Sequence, residues 1–420
     1  MKNIGFISTR ICGTDGVSHE IEKWATVLEK NGMSCSYCAG EVDRPLERCF
    51  LIDEAHFRHP EIANINRDIF GRTVRNAETT KLIHTMTAHL KSELTKYIRQ
   101  FDLDCIIAEN ALSIPMNIPL GIALTELIAE TGIAVIAHHH DFSWERDRFL
   151  VNAAWDYLQM CFPPVLPSIF HVVINSLAQS TLAFRRGVPS VIIPNTIDYA
   201  NPPKPVSPAA IKCIRDTAGV APGEYFVLQP TRVVPRKCIE RSIDLVSGLS
   251  GAGRRLVISH PSGDEGDEYH AQLKEYANMR QVSLVSIESV VSPGRMVSEQ
   301  RPFTIGEVYQ AADLVTYPSA YEGFGNAFLE AVYFRKPILI NRYPIFISDI
   351  EPKGFELCLI NGFITGDVIR NVERILCDPD ALKKMVDLNY RVASEHFSYE
   401  YLEKLLIGVL GCLKPRLSCR

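Results

Sequence analysis

No uninterrupted apolar run in this sequence approaches the ~20 residues that a bilayer-spanning helix needs. Its opening, Met1 to Ser8, lacks the longer apolar stretch and small-residue cleavage site of a secretory signal. Both absences lead us to expect a cytoplasmic protein with no integral membrane contact. A strong charge of one sign is missing as well: 44 lysines and arginines stand against 49 acidic residues, a net charge of −5. So mild a balance argues against broad electrostatic binding to nucleic acid or anionic membranes, and leaves local basic sites open. There is no short-period repeat, no low-complexity segment and no P-loop. The 12 cysteines are scattered through a long chain and do not form a disulfide framework. Cys105, Cys213, Cys358 and Cys377 sit among apolar residues, as buried reduced thiols do. Cys35 and Cys38 have the separation of a redox or zinc motif, but no second pair lies at metal spacing, so we read that separation as coincidence.

What is present is a globular composition, 46% hydrophobic and 22% charged, over 420 residues. That length exceeds one ordinary core and predicts two or three domains of roughly 100–200 residues each. Short apolar runs at positions 4–8, 105–108, 134–137, 172–175 and 191–193 read as strands. Helical periodicity lies between them at 17–31, 79–99, 120–130 and 177–186. Prolines 202, 203, 205, 208 and 222 then break the rhythm, which reads as a linker followed by a short helix. A second series follows, with strands at 225–229, 256–259, 283–287, 314–317 and 338–341 and helices around 239–248, 268–279, 305–311 and 325–334. An amphipathic helix at 399–413 ends the chain. Apolar runs without polar alternation predict parallel sheets covered on both faces. The expected fold is α/β, with two doubly wound Rossmann-like domains at 1–200 and 223–395, a linker at 201–222 and a terminal helix within 396–420. Ligands of such sheets lie beyond the carboxyl ends of the strands, which makes a cleft between the domains the expected site.

Four stretches carry chemistry. In Glu322-Gly323-Phe324-Gly325-Asn326-Ala327-Phe328-Leu329-Glu330, the glycines fall where a helix should begin, and free N–H groups there suit an anion. Glu322 can project from the turn, and Glu330 lies about two helical turns further on, where a carboxylate can accept a pair of ribose hydroxyls. Acidic capping of a helix N-terminus would explain the same residues. In Gln229-Pro230-Thr231-Arg232-Val233-Val234-Pro235-Arg236-Lys237, Arg232 and Lys237 can neutralise a diphosphate, or form a solvated basic loop. Cys12-Gly13-Thr14-Asp15-Gly16-Val17 lets the backbone approach phosphate oxygens, though it lacks the three-glycine dinucleotide pattern. In His138-His139-His140-Asp141, successive side chains alternate in direction, which disfavours three histidines on one metal ion. His140, beside Asp141, is the candidate to hydrogen-bond a sugar hydroxyl. Asp102-Leu103-Asp104 spells a metal-binding pattern, but it precedes a strand of the wrong architecture.

Together, in this order and spacing, these stretches resemble glycosyltransferase family 4, retaining enzymes of the GT-B fold, over nearly the whole chain. Glu322 and Glu330 match that family's paired glutamates. Val191-Ile192-Ile193-Pro194-Asn195-Thr196-Ile197-Asp198 is similar to the segment before its linker. By that resemblance, Gly16 contacts the donor diphosphate through its backbone. Arg232 and Lys237 hold the same phosphates, Glu322 binds the donor sugar and Glu330 the ribose. His140 sits near the anomeric carbon, and Phe324, Gly325 and Asn326 hold sugar and phosphate through backbone amides. The resemblance also implies that the first domain binds the acceptor and the second the nucleotide sugar, and that the terminal helix crosses back to the first.

The expected activity is transfer of a hexose from a nucleotide-diphosphate sugar, of the GDP-mannose or UDP-glucose type, to a small hydrophilic acceptor. No metal and no further cofactor are required. Positions 260–265 and 287–291 are candidates to read the base. Arg10, Arg72, Arg75, Arg146 and Arg148 lie in first-domain loops that suit an anionic acceptor such as a glycerate glycoside or sugar phosphate, with Arg10, Asp141 and Arg146 as the acceptor residues. Residues 138–148 and 341–355 resemble enzymes that build glycerate-linked solutes. The alternatives are a GT-B glycoside phosphorylase and a non-catalytic sugar-nucleotide binding protein, and a homo-oligomer stays open.

Overall fold

The computed structural model describes the chain except Thr14, positions 251–252, 254, 262–267, 293–297, 299–300 and 418–420, and the side chains of 414–417. The chain divides into two compact units, Met1–Thr196 with Tyr399–Arg420, and Ile197–Ser398.

In the first unit seven strands form one parallel sheet: β1 (Asn3–Ile7), β2 (Ser34–Ala39), β3 (Cys49–Leu51), β4 (Cys105–Glu109), β5 (Ala134–His139), β6 (Ile169–Val173) and β7 (Ser190–Ile192), in the order β3-β2-β1-β4-β5-β6-β7. Alternate residues of each strand feed opposite faces. Ile4, Phe6, Ile107 and Ile136 pack with Trp24 of the helix Gly16–Lys30, and Ile7, Ile106 and Val135 pack with Leu90, Leu94 and Tyr97 of the helix Ala77–Gln100. Gly5 leaves room where that second helix approaches, because a Cβ there would lie 2.9 Å from the Tyr97 hydroxyl and 2.4 Å from Leu103, just past the helix. The terminal helix Tyr399–Leu417 places Leu402, Leu406 and Leu410 in the first of these two cores, so the end of the chain is part of this unit.

Several elements went unread in the sequence. Strand β3 has only three residues, too few for a period-2 signal. The helix Pro60–Ile69 carries Ile62, Ile65 and Ile69 at helical spacing and buries all three. Cys35 joins one core and Cys38 the other, so the two thiols point apart, and burial pushes Cys35 up to about 12. Cys105 and Cys358 are buried as expected, whereas Cys213 and Cys377 are exposed: both lie on the outer faces of helices.

The second unit is a six-stranded parallel sheet of β8 (Val227–Gln229), β9 (Arg255–Ile258), β10 (Ser283–Ser286), β13 (Leu314–Tyr317), β14 (Ile338–Asn341) and β15 (Cys358–Ile360), in the order β10-β9-β8-β13-β14-β15. A separate two-stranded piece pairs β11 (Val291–Ser292) with β12 (Phe303–Thr304). The proline-rich stretch contains the helix Pro208–Thr217, capped by Ser207. Arg215 fastens this helix to the unit through Asp313 at 2.9 Å and the carbonyl of Glu224 at 2.6 Å. The first strand starts at Val227 because the Phe226 N–H donates to the Asp313 carboxylate at 2.7 Å, outside the ladder. In both sheets the chain reverses its winding direction beside the first strand, next to β1 and next to β8. The carboxyl ends of β1 and β4, and of β8 and β13, are therefore the natural ligand positions.

Candidate active site

After β8 the chain turns through Pro230 to Lys237. Gln229 fixes this departure from the sheet. Its buried amide donates to Thr231 at 2.8 Å and accepts from Ser242 at 2.9 Å and from Thr316 of β13 at 2.8 Å. The loop ends at Cys238, held in the left-handed region at φ 49°, directly before the helix Ile239–Gly248. A non-glycine residue there is strained, and such strain persists only where the surroundings enforce it.

Adjacent strand β13 leads into the glutamate stretch. Glu322 and Lys237 are both buried, and their carboxylate and ammonium are in direct contact. Arg236 reaches the other carboxylate oxygen at 3.1 Å, and the Lys237 ammonium sits over the Tyr317 ring, 5.2 Å from its centroid. Burial alone would raise the Glu322 carboxyl, but Lys237 and Arg236 outweigh it and hold the group below the usual range. Burial lowers the Lys237 ammonium, partly offset by Glu322. Arg232 is exposed on the same loop and forms no ion pair among the described residues. His260 follows β9 nearby and is pushed down to about 4, first by burial and then by the charges of Lys237 and Arg232. Lys237 and Arg232 are thus close enough to His260 to act on its charge, though burial is the larger cause. Positions 262–265, expected to help read the base, lie outside the described residues.

The turn between the glutamates is locked from below. Tyr343 donates its hydroxyl to the Phe324 carbonyl at 2.6 Å. Gly325, at φ 128°, begins the helix Asn326–Tyr333, and a Cβ there would lie 2.6 Å from the Tyr343 oxygen. Glu330, half-buried on that helix, accepts a hydrogen bond from the buried Tyr309 hydroxyl at 2.8 Å. One carboxylate oxygen is thus oriented by the protein.

In the first unit, the turn after β1 is closed by its own side chains. Gly13 donates to Asp43 at 2.8 Å, and Asp15 caps the helix Gly16–Lys30 by accepting from Val17 and Ser18, both at 3.1 Å. Arg10 pairs with Asp15 at 2.8 Å. The carboxylate of Asp15 thus occupies the usual anion position at this helix end, with Gly16 exposed beside it. Among the other candidate arginines, Arg146 is paired with Asp141, and Arg75 is bound to Asp156 at 2.7 and 3.0 Å, while Arg72 and Arg148 are exposed. Asp104 of the Asp-Leu-Asp pattern accepts from the N–H groups of Lys2 and Asn3 at 2.6 and 3.1 Å, which ties down the start of the chain.

The three histidines diverge as strand alternation requires. His139 turns to one face, against Ser113 and, at 2.9 Å, His171. His138 and His140 turn to the other and converge on Glu109, the last residue of β4. Glu109 is fully buried, and its carboxyl is held down at about 2: burial opposes this, but the two histidines outweigh it. His140 is the least buried of the three histidines. Glu109, His138 and His140 each offer one ligand atom within 4.8 Å of the others, the one such group among the described residues. The sequence reading missed Glu109. Its signal was a lone charge closing the apolar run Cys105 to Ala108.

Positions 212–390 match the family described as "Glycosyl transferases group 1". A mannosylglucosylglycerate synthase of Thermotoga maritima is 33% identical over 424 residues, covering 93% of this chain and 96% of that protein. The chain belongs to the group 1 glycosyltransferases. A second mannosylglucosylglycerate synthase, from Petrotoga mobilis, is 33% identical over 383 residues, 84% of this chain and 85% of that protein. The fold agrees: the crystal structure of Anabaena Alr3699/HepE in complex with UDP-glucose matches 98% of this glycosyltransferase and 100% of its own chain, at a TM-score of 0.63 and 14% identity. The two parallel Rossmann-like sheets are those of a GT-B enzyme, as the paired glutamates led us to expect.

Proposed function

We propose that this glycosyltransferase moves a hexose, with retention of configuration, from a nucleoside-diphosphate sugar of the GDP-mannose or UDP-glucose type to a small anionic acceptor, with a glycerate glycoside favoured. The observation that carries this reading is the buried Lys237–Glu322 pair with Arg236, set at the carboxyl ends of β8 and β13 beside the exposed Arg232. A diphosphate leaving group gains negative charge as the glycosidic bond breaks. Arg232 and Lys237 are the cations available to stabilise it, and preorganised charge of this kind is commonly the largest catalytic contribution. In this reading the side-chain cations do what a metal does elsewhere, so no metal is required. Glu322, already oriented by Lys237 and Arg236, takes donor-sugar hydroxyls. Glu330, oriented by Tyr309, takes the ribose, and the amides of Phe324, Gly325 and Asn326 face sugar and phosphate.

The first unit supplies the acceptor side. His140 lies against the donor sugar, and Asp141 and Arg146 extend from it toward the acceptor. Gly16 contributes its backbone amide, with Arg10 and Asp15 holding its turn. The two mannosylglucosylglycerate synthases, each matched over more than four fifths of both chains, support a glycerate-bearing acceptor. The structural relative in complex with UDP-glucose supports a nucleotide sugar as donor.

Thermal stabilisation by a panel of nucleoside diphosphates and their sugars tests this. A ligand at 100 times its dissociation constant adds roughly 2.7 kcal/mol of stability. A shift with one base, larger with one sugar, is expected. A shift only with phosphate or a free glycan would favour a GT-B glycoside phosphorylase, and nucleotide-sugar binding without turnover would favour a non-catalytic binding protein.

A further inference from the structure

Glu109 stands between two histidine rings. Its carboxylate lies 3.0 and 3.1 Å from Nδ1 of His138 and 2.9 Å from Nε2 of His140. An ionised carboxylate only accepts hydrogen bonds, so both facing nitrogens must carry hydrogen. The proton of His138 is therefore on Nδ1, and that of His140 is on Nε2. The other nitrogen of His138 is buried without a partner, and its ring stacks on Trp24 at 4.2 Å. A second proton there would bury an unsatisfied N–H, so His138 stays neutral. The same argument disfavours a metal on these three atoms, because ligation through Nδ1 would move the His138 hydrogen onto that orphaned nitrogen.

The backbone fixes the arrangement. Glu109 and His138 are register partners of β4 and β5. The Asn110 N–H donates to the His138 carbonyl at 3.0 Å, and the Asn110 side chain accepts from the His140 N–H at 2.9 Å. We propose that Glu109 is a positioning residue for glycosyl transfer, fixing the tautomer of His140 so that Nδ1 is the atom offered to the substrate. This rests on the reading that His140 lies against the donor sugar.

The charged groups facing the His140 ring are Glu109 from β4, Glu20 from the helix Gly16–Lys30, and Asp141 next in the chain; His138 beside it is neutral. Glu20 is itself paired with Lys23 at 2.6 Å, and Asp141 with Arg146. Burial works against a charged His140, but the carboxylates outweigh it, so the ring keeps its second proton above the ordinary histidine range. In that state Nδ1 is a hydrogen-bond donor. At higher pH it becomes an acceptor.

The test is Glu109→Gln, which keeps the shape and removes the charge, measured with the full chain and its donor. We expect kcat to fall about 10- to 100-fold, as for other carboxylates that orient a histidine, with donor KM little changed. The limb of the kcat pH profile set by His140 should move to lower pH by about one unit. In a His140→Ala background, Glu109→Gln should have no further effect on kcat. An unmoved pH limb, or an equal loss with and without His140, would overturn the assignment. So would stoichiometric zinc bound by the wild type and lost in Glu109→Gln. Full activity in His140→Ala overturns it too, while leaving the transferase reading intact. If the wild type transfers no sugar, the functional reading fails instead, and ¹⁵N shifts of the His140 ring still decide the tautomer. A ring protonated on Nδ1 alone contradicts the proposal.

Discussion

Lys237 and Glu322 form a buried ion pair that joins the loop after β8 to the turn after β13. Removing one partner leaves the other charge buried with reduced compensation. Lys237→Ala should destabilise the protein by about 3 kcal/mol, toward the low end for buried pairs because Arg236 still reaches Glu322. Its turnover should fall roughly 100- to 1,000-fold. The double variant Lys237→Met with Glu322→Gln should recover much of the stability in urea titration and none of the activity. Recovery of both would mean that the pair is only structural.

Tyr309 orients Glu330 through one hydrogen bond to a buried hydroxyl. Tyr309→Phe removes that bond and keeps the ring stacked on Phe334. A loss of about 1 kcal/mol, roughly fivefold in donor KM with kcat unchanged, is expected if Glu330 holds the ribose. An unchanged donor KM would show that Glu330 does not contact the nucleotide.

Gly325 cannot carry a side chain without strain: its φ is 128° and the Tyr343 oxygen lies 2.6 Å from where a Cβ would sit. Gly325→Ala should cost on the order of 1–3 kcal/mol of stability and displace the turn that faces the sugar. Circular-dichroism melting together with donor KM would show both effects. A variant with wild-type stability and KM would contradict the described turn.

The buried pair His139 and His171 makes a prediction about pH. Burial, and then Arg186, push His171 down to about 4 from an ordinary value of 6.5. The folded state thus favours the neutral ring. Its contribution is complete above pH 6.5 and is lost as pH falls toward 4, by on the order of 3 kcal/mol. Stability measured from pH 7 down to 4.5 should decline, and His171→Gln should flatten that slope. An unchanged slope would mean that His171 is not the group responsible.

Much of this molecule was legible in its sequence. The strand–helix alternation gave both sheets, because a doubly covered parallel strand is a short apolar run whatever its neighbours. Glu322 and Glu330 could be singled out because the stretch that carries them resembles the family pattern within nine consecutive residues, which is local information. The features that escaped depend on distant pairing. Glu109 acquires its role only because β4 and β5 align it with His138, 29 positions away. Asp43 closes the Gly13 turn from 30 positions away, and Tyr343 reaches Phe324 across the end of the sheet. None of these contacts has a sequence period.

The most direct test of the central claim is a coupled transfer assay. Purified protein is incubated with GDP-mannose or UDP-glucose and a panel of glycerate glycosides and sugar phosphates, and both the released nucleoside diphosphate and the anomeric configuration of the product are read by NMR. One donor and one anionic acceptor should give diphosphate and product in equal amounts, with the donor's α configuration kept, and Lys237→Ala should slow the formation of both roughly 100- to 1,000-fold. Product of inverted configuration, or sugar transfer that requires inorganic phosphate and no nucleotide, would contradict the claim.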